Sequence, residues 1–213
     1  MTALAVAEAF SHALRGEQCL LTDADGSSWA LPVMEWQDTD NPDDDLLLGL
    51  CVGMTLDVGC GPGRLTAELG RRGHVALGID VVPEAVEQSR GRGAIAMLRD
   101  VFAPVPGEGR WHTVLLADQN IGIGGDPVAL LIRMGQILAY DGRVVVEVAA
   151  PSEPTRIGDV WLDCACGRSE PFRWATVSAV DLPAIAAEAG FDVTSRWNND
   201  RKWVCMLERN SSS

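Results

Sequence analysis

The sequence predicts an α/β fold, a doubly wound sheet that is mostly parallel and ends in an antiparallel hairpin. Three observations carry that expectation. From about residue 54 strand-like and helix-like segments alternate; a glycine loop joins the first of these strands to its helix; and the last forty residues change character to a helix followed by two strands.

Taken in order, Thr55-Leu56-Asp57-Val58 reads as a buried strand, and Gly63 to Arg72 as a helix with Leu65 and Leu69 on one face. His74 to Ile79 is the next strand, Pro83 opens a helix running through Arg90, and Ala94 to Leu98 is a short third strand. Trp111 to Ala117 is the fourth. Asp126-Pro127 caps a helix whose Val128, Leu131, Ile132, Gly135 and Leu138 recur at helical spacing, and Asp141-Gly142 turns into a fifth strand, Arg143 to Val148. All five are expected to be parallel, joined by right-handed crossovers. Asp181 caps a helix to Ala189, and the strands Phe191 to Arg196 and Lys202 to Leu207 flank Asn198-Asn199-Asp200 as a hairpin. Ahead of this unit, residues 1–50 hold a helix through Leu14, a hairpin around Asp23-Ala24-Asp25-Gly26 and an acidic turn, Asp43-Asp44-Asp45, suited to a helix N-terminus. They are expected to form a lid over a domain at 51–210, with a second insertion at about 150–175 and a disordered Ser211-Ser212-Ser213 tail.

Composition narrows the partners. The 213 residues accommodate one domain with embellishments, and 47% hydrophobic against 22% charged is a globular mix. A formal charge of −13 repels phosphate backbones and anionic lipid, so neither nucleic acid nor a membrane is an expected partner. The longest apolar run, Leu46 to Leu56, is broken by Gly49 and Gly53 and falls short of the roughly 20 residues of a membrane span. The first residues lack a basic lead-in and an unbroken apolar stretch, which points to a cytoplasmic location. Six cysteines without CxxC spacing predict neither a disulfide nor a metal site.

The chemistry is concentrated in Asp57-Val58-Gly59-Cys60-Gly61-Pro62-Gly63. Glycines allow backbone to pass close to a ligand, and the following helix N-terminus offers free N–H groups. The dinucleotide fingerprint would require glycine at position 64, where Arg64 stands, so a nicotinamide-dependent oxidoreductase is disfavoured.

Asp57-x-Gly59-x-Gly61-x-Gly63 resembles the first motif of class I S-adenosylmethionine-dependent methyltransferases. The resemblance extends over roughly residues 50–210 and implies a Rossmann-like, seven-stranded sheet with S-adenosylmethionine as cofactor. It further implies that Asp80, at the end of the second parallel strand, binds the ribose hydroxyls, and that Asp100 receives the adenine amino group while Val101 or Phe102 packs on the ring. In that family the loop after the fourth strand, here Asp118-Gln119-Asn120, lies beside the reactive methyl group. Asp118 and Asn120 are therefore candidates to orient a substrate, and Asp118 to touch the cofactor as well. The sequence lacks the Asn/Asp-Pro-Pro-aromatic signature of methylation at planar amines.

An oxygen nucleophile would need a base. His74 and His112 begin strands at the end of the sheet away from the ligand, which leaves His12 in the N-terminal helix, with Glu147 late in the fifth strand as an alternative. Trp29, Trp36, Trp161 and Trp174 fall in the two insertions, where they either wall a pocket or belong to a core. Cys164 and Cys166 have no histidine near them in sequence, and Arg201-Lys202-Trp203 is too short for a nucleic-acid patch. The expected activity is methylation of oxygen, nitrogen or carbon on a small neutral or cationic metabolite; the alternative is a non-catalytic S-adenosylmethionine-binding regulatory or partner subunit.

Overall fold

A computed structural model describes residues 3–199 and 201–210. The predicted tail, Ser211 to Ser213, and Asp200 of the hairpin turn lie outside the described residues.

The chain begins with helix α1 (Val6–Leu14), a hairpin of β1 (Cys19–Asp23) and β2 (Ser28–Ala30), and two short helices, α2 (Val33–Gln37) and α3 (Asp44–Leu50). Asp23 makes the hairpin turn, its carboxylate accepting the N–H groups of Asp25 and Ser27. The alternating unit follows: β3 (Thr55–Val58), α4 (Arg64–Arg71), β4 (Ala76–Asp80), α5 (Pro83–Gly91), β5 (Ala96–Leu98), β6 (Trp111–Leu116), α6 (Pro127–Ile137) and β7 (Leu138–Val148). Asp126 caps α6 by accepting the Ala129 N–H at 2.9 Å. β8 (Arg156–Cys164), β9 (Gly167–Arg168) and β10 (Phe172–Thr176) precede α7 (Leu182–Glu188) and the closing pair β11 (Phe191–Asn198) and β12 (Trp203–Arg209). Asp181 does not cap α7 through its side chain; its carboxylate accepts the Thr155 hydroxyl at 2.6 Å instead.

The main sheet has seven strands in the order β11-β12-β7-β6-β3-β4-β5. β7, β6, β3, β4 and β5 are parallel, and the terminal hairpin adds two antiparallel strands through β12 on β7. Apolar residues fill both faces, as a central parallel sheet requires. Leu130, Met134 and Ile137 of α6, with Leu182 of α7 and Phe191, pack on one side. Leu47 and Leu48 of α3, with Leu65 and Leu69 of α4, pack against Leu115, Val145 and Val204 on the other.

A second sheet, which no single segment of the sequence announces, joins the two insertions. Its strands run β10-β8-β1-β2, all antiparallel, with β9 paired to β8. Leu21 of β1 and Leu162 of β8 pair directly, and with Ala9 of α1 and Val160 they form a separate small core. Cys19 and Cys164 also stand opposite each other, and they form a disulfide. This corrects the expectation of free thiols throughout. The two cysteines are 145 residues apart, so their spacing carries no signal until β1 and β8 pair. Cys51, Cys60, Cys166 and Cys205 are free.

The second sheet sits over the carboxyl edge of the main one. Phe10 and Leu14 of α1, with Val33 and Trp36 around α2, pack on Val82 and Ala85 at the start of α5, and Arg15 pairs with Glu84 at 2.7 Å. No described helix is long and apolar enough to cross a membrane.

Candidate active site

Where β3 ends, Gly59 and Cys60 each donate their N–H to the Ile79 carbonyl, which bends the chain toward β4 before α4 begins. The loop passes through positive φ at Gly61 (53°) and Gly63 (83°), a region that side chains disfavour. A Cβ on Gly63 would stand 2.1 Å from the Ser89 Oγ, so that glycine is demanded by packing against α5. A Cβ on Gly61 would meet no atom within 4 Å. Its open side faces a cavity of about 730 Å³, within the range of small-molecule sites.

Asp80 ends β4 on the cavity wall. One carboxylate oxygen accepts the Gly61 N–H at 2.9 Å and the other the Val82 N–H at 2.8 Å, so it fixes the loop while keeping lone pairs for a ligand. Burial raises its carboxyl above the usual carboxylate range, and those two backbone bonds oppose the rise. Asp100 and Val101 line the cavity further along. Asp100 accepts the Phe102 N–H at 2.9 Å, and Arg133 of α6 holds this loop through the carbonyls of Val101 and Ala103. Phe102 does not line the cavity; a Cβ on Gly124 would touch its ring. Asp57 lies beneath the loop, outside the cavity lining, and accepts the Thr66 hydroxyl at 2.6 Å. Burial pushes its carboxyl up to about 6.

Asp118 and Gln119 follow β6 with φ of 50° and 61°, and a turn of 3-10 helix, Asn120–Gly122, comes next. Asn120 donates from Nδ2 to the carbonyls of Val58 and Gly59, both at 2.9 Å, so it ties this loop to the glycine loop. Both carboxylate oxygens of Asp118 are engaged by Arg64, at 2.7 and 3.0 Å. Burial acts to raise the Asp118 carboxyl, but the guanidinium, with Lys202 behind it, outweighs burial and holds it below the usual range.

Arg64, which the sequence reading used only as a missing glycine, is the centre of a buried cluster. It is 5% exposed and grips Asp44 of α3 at 2.8 and 3.1 Å as well as Asp118. Lys202 lies 3.0 Å from Glu147, 3.5 Å from Asp118 and 3.7 Å from Asp44. A cation in the first turn of a helix opposes the helix dipole, so an arginine there signals carboxylates folded against it. That was the one clue available in the sequence.

The N-terminal segment and β10 line the cavity with apolar surface: Phe10, Trp29, Trp36, Phe172 and Trp174. Trp161 does not; it carries the Arg168 guanidinium 4.8 Å over its ring. His12 is not brought to the cavity. Its Nδ1 is 2.6 Å from Glu17, and its ring lies beside Cys166, the ligand atoms of the three falling within 4.8 Å of one another. A histidine thus stands near Cys166 in space though not in sequence, because the β8–β9 turn folds against the end of α1.

Residues 55–142 match a family described as a methyltransferase domain. Over that span the chain is similar to a methyltransferase domain. The matched span holds the glycine loop, Asp80, Asp100, Asp118 and Asn120. Among solved structures, an S-adenosylmethionine-dependent methyltransferase from Bacteroides fragilis, in complex with S-adenosylhomocysteine, superposes with a TM-score of 0.80 at 20% identity over 96% of this chain and 94% of its own. The 1,6-didemethyltoxoflavin N1-methyltransferase of Burkholderia thailandensis has a TM-score of 0.61 at 20% identity, covering 83% of this chain and 81% of that one. A sugar N-methyltransferase from Streptoalloteichus sp. has a TM-score of 0.59 at 15% identity, covering 85% and 93%. These likenesses establish the fold. No curated protein sequence matches the chain.

Proposed function

We propose that this chain is an S-adenosylmethionine-dependent methyltransferase that binds the cofactor over the Gly59–Gly63 loop and transfers its methyl group to a small, largely apolar metabolite held under a lid. The observation that carries this reading is that one cavity is lined both by the glycine loop and by the aromatic roof. The open side of Gly61 suits close approach of the methionine end, Asp80 suits the ribose hydroxyls, and Asp100 with Val101 suits the adenine. Asn120 and Asp118 are positioning residues: the first holds the glycine loop and the second anchors the loop after β6. Residues 1–50 and 150–175 act as one lid, because their strands share a sheet.

The cofactor supplies a methyl on a sulfonium, a good leaving group. The protein supplies alignment and dryness, since displacement in line is accelerated by holding the reacting atoms together and excluding water. Trp29, Trp36 and Trp174 provide the dry wall. The 1,6-didemethyltoxoflavin N1-methyltransferase and the sugar N-methyltransferase of similar fold agree with a small-molecule substrate here, and the −13 charge disfavours nucleic acid. Isothermal titration with S-adenosylmethionine, followed by transfer of a labelled methyl group to a panel of small aromatic and aliphatic metabolites, tests the reading. Cofactor binding without transfer to any of them, or transfer only to protein or nucleic acid, would overturn the substrate assignment.

A further inference from the structure

A second recess of about 200 Å³ opens beside the main cavity, and Pro32, Trp36, Asp118 and Gln119 line both. Its walls differ sharply from the aromatic roof. Glu147, Asp118, Asp43 and Glu35 face it with Lys202 and Arg201. Arg201 is taken up by Asp43, at 3.2 Å, and Lys202 by Glu147 and Asp118. Behind these groups Arg64 is shared between Asp118 and Asp44. In the buried cluster three carboxylates, Asp44, Asp118 and Glu147, therefore face two cations, which leaves one negative charge uncompensated.

We infer that this recess is a subsite for a positively charged, hydrogen-bond-donating group of the substrate, an ammonium in the simplest case. The inference rests on the proposed function, because it places one end of the same substrate beside the methyl-transfer cavity. Glu147 uses one carboxylate oxygen, Oε2, for both the Asp118 N–H and the Lys202 ammonium, each at 3.0 Å. Burial and the Asp118 charge both raise Glu147 against the pull of Lys202, which is the response of a carboxylate short of positive partners. Trp36 lines the recess as well as the main cavity, and ammonium groups bind aromatic rings. An anionic group is opposed here: Lys202 already has three carboxylates within 3.7 Å and has no charge left to share.

The test compares 2-phenylethylamine, 3-phenylpropanol and 3-phenylpropanoate, probes of similar shape carrying an ammonium, a hydroxyl and a carboxylate. Each is titrated into the wild-type protein and Glu147→Gln, with and without S-adenosylhomocysteine, folding being checked by circular dichroism. The ammonium probe is expected to bind at least about tenfold more tightly than the carboxylate, and the preference to shrink to about threefold or less in Glu147→Gln. Trp36→Leu, outside the buried cluster, should also weaken the ammonium probe selectively and serves if Glu147→Gln does not fold. Equal binding of ammonium and carboxylate, absence of binding by all three probes, or a preference unchanged in the folded variants would overturn the subsite. Failure of S-adenosylhomocysteine to bind would instead overturn the cofactor assignment, and the cofactor-free titrations would still decide the recess.

Discussion

The Arg64 guanidinium meets the Asp118 carboxylate along both oxygens, at 2.7 and 3.0 Å, and so joins the helix that follows the glycine loop to the loop that follows β6. The first walls of the cavity are held in register by an ion pair rather than by apolar contact alone. Removing one member strands the others. Arg64→Met would leave Asp118 and Asp44 buried beside Glu147 without their main cation, at a cost of about 3–5 kcal/mol. Urea denaturation of this variant should show that loss, and a stability within about 1 kcal/mol of wild type would contradict it.

Asp57 makes a pH prediction of opposite sign to a salt-bridged acid. Its carboxyl is raised from 3.8 to about 6, so between those values the folded state binds more protons than the unfolded one, and stability falls as pH rises through that window. Asp57→Asn cannot ionise. Its stability relative to wild type should therefore grow between about pH 4 and pH 6 and level off above, by about 3 kcal/mol at most. Paired denaturation curves at pH 4, 5, 6 and 7 measure this, and a difference independent of pH would refute the assignment.

Cys19 and Cys164 tie β1 to β8 across 145 residues of chain. Loss of that link should cost about 2–5 kcal/mol by the entropy restored to the unfolded chain. Dithiothreitol should lower the melting temperature of wild type and leave a Cys19→Ser, Cys164→Ser double variant unmoved. Equal response of the two proteins to reductant would show that the link contributes nothing.

The parallel sheet and the glycine loop were legible because their signals are local: apolar runs, a glycine every second residue from 59 to 63, and acids at successive strand ends. The second sheet was not, because its central pairing joins Leu21 to Leu162 and no local pattern records a partner so far away. The charge cluster was hidden for the same reason, its members coming from α3, α4, the loop after β6, β7 and the residue before β12. Lys202 read as part of a short basic patch and His12 as a candidate base, since helical periodicity places His12 on α1 without saying which face meets the cavity. Cutting the chain near Leu46 would remove Asp44 from Arg64 and β1 from β8, so the segment ahead of the glycine loop also supports it.

Asp80 fixes the glycine loop through the Gly61 N–H, and the proposed function gives it the cofactor ribose as well. Asp80→Ala should weaken S-adenosylmethionine binding by about 2–4 kcal/mol, taking about 1.5–3 for each charged hydrogen bond with partial replacement by water. Asp100→Ala should cost less, because the Asp100 side chain is exposed. Isothermal titration of both variants checks the order, and a greater loss in Asp100→Ala would reverse the assignment of ribose and adenine ends.

The central claim is that the backbone of the glycine loop receives the cofactor, and Gly61 tests it most directly. A side chain there meets no protein atom within 4 Å, so Gly61→Val fills only the space a ligand would use, at the cost of local strain from its positive φ. Titration of S-adenosylhomocysteine into wild type and folded Gly61→Val should show one-site binding in the first and none in the second, whereas equal affinity in the two proteins would contradict the account.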